Sequence, residues 1–159
     1  MPKVDQIQIR GVEQISASLS RLERRTRTKY VRKAVRRGAN LIRDEARLRV
    51  RKRSGALESR IVSSSDRSRD RSIIKAKVHV RGGPAAVKYH KRLGRTNEQG
   101  LVTKRILPRR YAHLIEFGSK RAPAYPFMRP AVDFKKGEVP REIAVSLRED
   151  LRKGEGYLL

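Results

Sequence analysis

A chain of 159 residues with 41 Lys and Arg against 16 Asp and Glu has the length of one domain, and its formal charge of +25 suits a protein that meets polyanions or acidic protein surfaces. The absence of cysteine excludes a disulfide scaffold and thiolate zinc sites, and the absence of Trp leaves the core to Ile, Leu, Val and Ala. No apolar run approaches the roughly 18 residues of a membrane span, and the polar start MPKVDQIQIR lacks the apolar centre of a signal peptide, so the expected setting for synthesis and folding is the cytoplasm.

In chain order, QIQIRG alternates Ile7 and Ile9 with Gln6, Gln8 and Arg10 ahead of Gly11, the period of a half-buried strand. Val12, Ile15, Leu19 and Leu22 follow at spacings of three and four and predict a helix over about 12–25. A longer helix comes next. Val31, Val35, Gly38, Ile42, Ala46 and Val50 trace one face over about 25 residues, with Gly38 permitting close approach by a neighbour. Lys29, Arg32, Arg36, Arg43, Arg47 and Arg51 trace a basic stripe on another face, whose repulsion packing or an anionic partner must offset.

RSGALESRIV breaks at Gly55 and reads as a short helical turn entering a strand, while the polar stretch 63–72 reads as a hairpin loop or mobile segment. The clearest strand lies in IIKAKVHVR: Ile74, Ala76, Val78 and Val80 face one way, Lys75, Lys77, His79 and Arg81 the other, and Gly82, Gly83 and Pro84 end it. Residues 85–110 read as a long basic loop with a brief strand at 101–107. In VPREIAVSLREDLRKG, Pro140 suits a first turn and Ile143, Leu147 and Leu151 share a face, which predicts a terminal helix over 138–153. The order points to a single α+β domain over 1–159, with a small antiparallel sheet packed against a long helix and shorter helices.

Charge is unevenly placed along this order. Residues 21–53 carry fifteen basic and three acidic groups, 60–110 another fifteen and three, and 111–159 only nine and seven, so a cationic body adjoins a nearly neutral final third. Catalytic chemistry finds no support. His79, His90 and His113 lack metal-ligand spacing, Asp66 and Asp70 sit among Arg and Ser, GGP at 82–84 lacks the Lys-Ser/Thr of a phosphate loop, and no serine lies in a nucleophile elbow. The expectation is a protein that is not an enzyme and carries no metal or cofactor.

The window YAHLIEFGSKRAPAYPFMRP, residues 111–130, holds four of the eight aromatic residues and three of the seven prolines. Tyr111, Leu114, Ile115 and Phe117 sit at helical spacings, Gly118 suits a positive-φ stop, and Pro123 and Pro126 stiffen the exit. Arg129-Pro130 then launches a short helix through Ala131, Val132 and Phe134. The prediction is a rigid corner anchored by Phe127, either inside the fold or between copies of it, with Phe127 and Arg129 assigned to the boundary between copies. Glu116, the one acid in the window, is expected to pair with an arginine such as Arg129 or to accept hydrogen bonds from a turn.

The pattern from Tyr111 through Glu116-Phe117-Gly118-Ser119 to Pro126-Phe127-Met128-Arg129-Pro130-Ala131 resembles the signature of a tail-completion and head-to-tail joining family of long-tailed bacteriophages, similar to a tail component of HK-type lambdoid phages. That family carries a YxxxxEFGT element followed by xPFxRPA, and this chain has Ser119 where the family has Thr. Upstream, SGALESRI is similar to the family's TGxLxxSI. The resemblance implies a structural virion protein, assembled in the host bacterial cytoplasm, in a ring of six copies at the neck or head-proximal tail end. Its partners would be neighbouring neck and tail proteins, with no membrane.

Six copies of a +25 chain need compensation by acidic rings, a tape-measure terminus or packaged DNA. Arg32, Arg36, Arg43, Arg47 and Arg51 are the candidate contacts. Facing a lumen they would meet phosphates, and facing outward an acidic neighbour; because DNA must slide through a channel, protein contacts are favoured. The alternative function is that of a basic nucleic-acid-binding protein of ribosomal or nucleoid type, which accounts for the charge but not for the EFG and PFMRP elements. A basic nuclease would need an acidic metal cluster that the sequence lacks.

Overall fold

A computed structural model of the protein describes residues 11–22, 24–51, 54–66, 73–83, 85–90 and 101–155. Among them the chain forms helices α1 (Val12–Arg21), α2 (Arg24–Arg49) and α3 (Ala56–Arg60), strands β1 (Ile61–Asp66), β2 (Lys75–Val80), β3 (Ala85–His90) and β4 (Leu101–Ile106), then helices α4 (Pro108–Phe117), α5 (Met128–Lys135) and α6 (Glu138–Glu155). The class is α+β. The expected strand at 6–10 lies outside the described residues.

The long helix α2 organises the rest because it offers a different apolar strip to each neighbour. On one side Ala34 and Val31 pack with Ile15 of α1 and with Ala144, Leu147 and Leu151 of α6. Farther along, Ala46 and Val50 join Leu57, Ile61, Ala112, Phe127 and Ala131 in a second cluster, flanked by Val78 and Val80. Gly38 leaves room for α6: a Cβ there would lie 3.0 Å from Ile143 Cγ1 and 3.1 Å from Val139 Cγ1. Hydrophobic spacing thus selected the correct faces, although Val12, placed on the apolar face of α1, is exposed. α1 also ends sooner than its spacing suggests, since Leu22 turns extended before α2 begins.

β1 and β2 pair antiparallel from Ile61 opposite Val80 to Asp66 opposite Lys75. Their inner residues meet α2, where Ser63 Oγ donates to Asn40 Oδ1 at 2.5 Å and Arg47 Nε donates to the Ile61 carbonyl at 3.0 Å. Two expectations change here. Residues 63–66, read as loop, belong to β1, because a polar segment gains strand structure from the ladder opposite rather than from its own residues. Within 85–110, read as a long loop with one strand, β3 pairs with β4 from Ala85 opposite Ile106 to His90 opposite Leu101, and Pro108 already opens α4. The described strands therefore form two two-stranded sheets rather than one.

Candidate functional site

The window at 111–130 folds into a corner between α4 and α5, and its parts follow from local chemistry. Pro108 stands in the first turn of α4, where its missing N–H leaves no bond unmade. Gly118 stops the helix with φ 78° and ψ −178°, a backbone region nearly confined to glycine. Space enforces the same choice, since a Cβ at Gly118 would meet the Ala124 nitrogen at 2.9 Å and the Ala122 oxygen at 3.2 Å. The reversal that follows is closed by Ser119 N–H donating to the Ala122 carbonyl at 2.9 Å and by Tyr125 N–H donating to the Ile115 carbonyl at 2.7 Å. Ser119 Oγ accepts the Arg121 N–H at 3.3 Å, a bond the family's Thr hydroxyl can also make.

Glu116 joins the two helices. Its Oε2 accepts the backbone N–H groups of Phe127 at 2.8 Å and Met128 at 2.9 Å, and its Oε1 accepts that of Arg129 at 3.1 Å. These are the first donors of α5, which no residue of that helix can satisfy. The next position is Pro130, which has no N–H to leave unpaired. A carboxylate from α4 thus caps the α5 terminus completely and sits against its positive dipole end. Burial would raise the carboxyl pKa, but the three backbone donors and the nearby Arg129 charge outweigh it and hold the pKa below the ordinary value. Of the two roles expected for Glu116, backbone acceptance is the one observed through direct bonds.

Phe127 fills the inner side of the corner. It is 1% exposed, enclosed by Ala46, Val50, Ile61, Ala112 and Ala131, so its ring serves the core of its own protomer and is not presented to another copy. Tyr111 packs at the edge of that core, and burial raises its phenol pKa. Outside the corner the picture reverses. Phe117 is 62% exposed with the Arg129 guanidinium 4.7 Å above its ring, and Pro126 is exposed beside Phe127.

Two further aromatic side chains on this end of the molecule, which sequence reasoning did not single out as contacts, carry arginines in the same way. Arg51 lies 5.0 Å over Tyr125, and Arg49 lies 5.0 Å over Phe134, which is 60% exposed. Phe134 stands three residues beyond Ala131, a spacing that shares a helical face, so nothing in the sequence signalled its exposure. Leu48, Leu114 and Val132 add exposed aliphatic surface.

The predicted basic stripe divides along α2. Arg43 binds Asp44 through two bonds of 2.8 Å and also donates to Asn40, Arg47 is tied to the Ile61 carbonyl, and Arg51 stands over Tyr125. Lys33 and Arg37, one position beyond Arg32 and Arg36, reach α6, where they pair with Asp150 and Glu149. Arg32 and Arg36 themselves are exposed, as is Lys29. Among the described residues no group of three His, Asp or Glu could hold a metal ion, and no helix is long and apolar enough to cross a membrane.

Compared with known proteins, residues 13–118 match one family model, described as "HK97-gp10_like: Bacteriophage HK97-gp10, putative tail-component". The matched span is two thirds of the chain and runs from α1 to the glycine that stops α4, so Glu116 lies within it and the residues it caps lie beyond. No curated protein and no solved structure matches the chain.

Proposed function

Since the chain belongs to the HK97-gp10-like family of bacteriophage tail components, we propose that it is a structural protein of the virion, placed in the neck or at the head-proximal end of the tail. There it completes the tail and helps join it to the head, as one of several copies in a closed ring. The reading rests on the surface around the corner, where Phe117, Tyr125 and Phe134 are exposed and each carries an arginine over its ring. Exposed aromatic and Arg side chains are the composition of binding hot spots.

A ring needs two different patches that meet head to tail. The corner is suited to be one of them, because the Glu116 cap and Gly118 stop fix the angle between α4 and α5 and so present Phe117, Tyr125 and Arg129 rigidly. Six copies would match a six-fold tail. The role involves binding and geometry, with no turnover of substrate.

Electron microscopy of virions and of the purified protein tests the proposal. A ring of this chain at the head-tail junction supports it, and monomers absent from the particle overturn it. The double substitution Phe117→Ser and Tyr125→Ser should leave the protomer folded, because both rings are exposed, yet abolish ring formation and tail joining. Unimpaired rings in that variant would exclude the corner as the contact.

A further inference from the structure

The twenty residues from Arg24 to Arg43 hold nine Lys or Arg and no acid. The helix consumes part of this charge internally, through Lys33 with Asp150, Arg37 with Glu149 and Arg43 with Asp44. Six remain, and besides Arg24 and Arg27 they form an ordered row: Arg25, Lys29, Arg32 and Arg36, at spacings of four, three and four, line one exposed face over about 16 Å at 1.5 Å per residue. Asp66, the acid of β1, is committed to Lys77. Cations one turn apart repel, and cations in the first turn of a helix oppose its dipole, so the isolated arrangement is unfavourable.

Within α2 the stripe lacks the apolar anchor that a protein partner would grip, and the large apolar side chains exposed on α1 and α6 are two valines, Val12 and Val145. No exposed large apolar side chain occurs in α2 before Leu48, sixteen residues or about 24 Å beyond Arg32, whereas Leu48, Phe117, Tyr125 and Phe134 are exposed near the other end of the helix. Protein interfaces centre on apolar anchors, while phosphate contacts need only cations. We infer that the face of α2 formed by Arg25, Lys29, Arg32 and Arg36 binds the phosphate backbone of duplex DNA without reading its sequence.

The inference stands apart from the ring reading, since a monomer would bind as well. It also reverses the preference for protein contacts drawn from the sequence. Sliding DNA does not argue against the stripe, because phosphate-only contacts allow a protein to slide along the duplex.

Binding of the full chain to mixed-sequence duplex DNA, measured by fluorescence anisotropy across a salt series, tests it. Each phosphate contact contributes about 0.9 to the slope of log affinity against log salt, so Arg32→Ala with Arg36→Ala should lower the slope by about two, equally for DNA of different sequences. Arg51→Ala with Arg121→Ala, exposed cations at the opposite end, should lower it by far less, and circular dichroism should show both variants folded. An unchanged slope in the stripe variant, or an equal loss in the second variant, overturns the inference. So does polyglutamate that competes with DNA as well as DNA itself at equal charge, since the face would then fit an acidic protein.

Discussion

Replacing Glu116 by Ala strands three backbone donors at once, two of them in the first turn of α5, and should destabilise the protomer by about 2–4 kcal/mol in a denaturant titration. Glu116→Gln keeps an acceptor but loses the charge that opposes the helix dipole, and should cost about half as much. The two variants separate size from charge. Because the folded pKa of Glu116 lies below its ordinary 4.5, the stability it supplies is complete above that value and is lost as pH falls through the folded pKa. Stability of the wild type should therefore fall more steeply than that of Glu116→Gln on acidification below pH 4.5; parallel curves would refute the charged cap. At Gly118, Ala must adopt a glycine-only conformation and press its Cβ on the Ala124 backbone, so Gly118→Ala should cost about 1–3 kcal/mol from the backbone alone. The glycine stop was legible in the sequence because EFG followed by prolines is local chemistry. The cap was only half legible: Glu116 could be marked as an acid that needs donors, but its partners lie eleven to thirteen residues on and are brought to it by the reversal at Ser119–Ala122.

Between elements the decisive contact is α2 against α6, where two effects oppose each other at Gly38. Ala at that position gains about 1 kcal/mol of helix propensity and must push Ile143 and Val139 aside by a few tenths of an ångström, so Gly38→Ala should leave stability within about 1 kcal/mol of wild type. Gly38→Leu has no such room and should lose about 1–3 kcal/mol by overpacking. The charge pair beside it is asymmetric. Asp150 is 3% exposed with Oδ2 unpartnered among the described residues, whereas the Lys33 side chain is half exposed. Removing the lysine leaves a buried carboxylate uncompensated, and removing the charge from the acid does not. Thermal unfolding should accordingly show Lys33→Met less stable than Asp150→Asn, by about 1–3 kcal/mol.

The same elements show where sequence reading reaches. α2, β2 and α6 each carry an apolar strip of the right period, and all three were legible with their inward faces, the one on β2 being only partly buried. β1 was read too short because Ser63, Ser64, Ser65 and Asp66 have no strand preference of their own and owe their conformation to β2. β3 was missed because Gly82, Gly83 and Pro84 just before it read as the start of a loop, while its pairing partner lies beyond residue 100.

At the scale of the molecule the surplus of cations works against the compact state, while the apolar and ionic contacts of α2 hold it together. Repulsion among exposed Lys and Arg is screened as the Debye length falls from about 10 Å at 0.1 M salt to about 3 Å at 1 M. Opposing this, salt also weakens the attractive pairs, but the exposed Arg37–Glu149 pair contributes little, and Lys33–Asp150, with its carboxylate buried, is screened less. The repulsive sum runs over a +25 chain and should dominate. Melting temperature should therefore rise as sodium chloride increases from low to moderate concentration. Arg32→Ala with Arg36→Ala should raise it further at low salt and reduce the gain that salt brings, because part of the repulsion has been removed in advance. Calorimetry across a salt series measures both effects. A melting temperature that falls with salt would mean that ion pairs, rather than the exposed cations of α2, dominate the electrostatics of the fold.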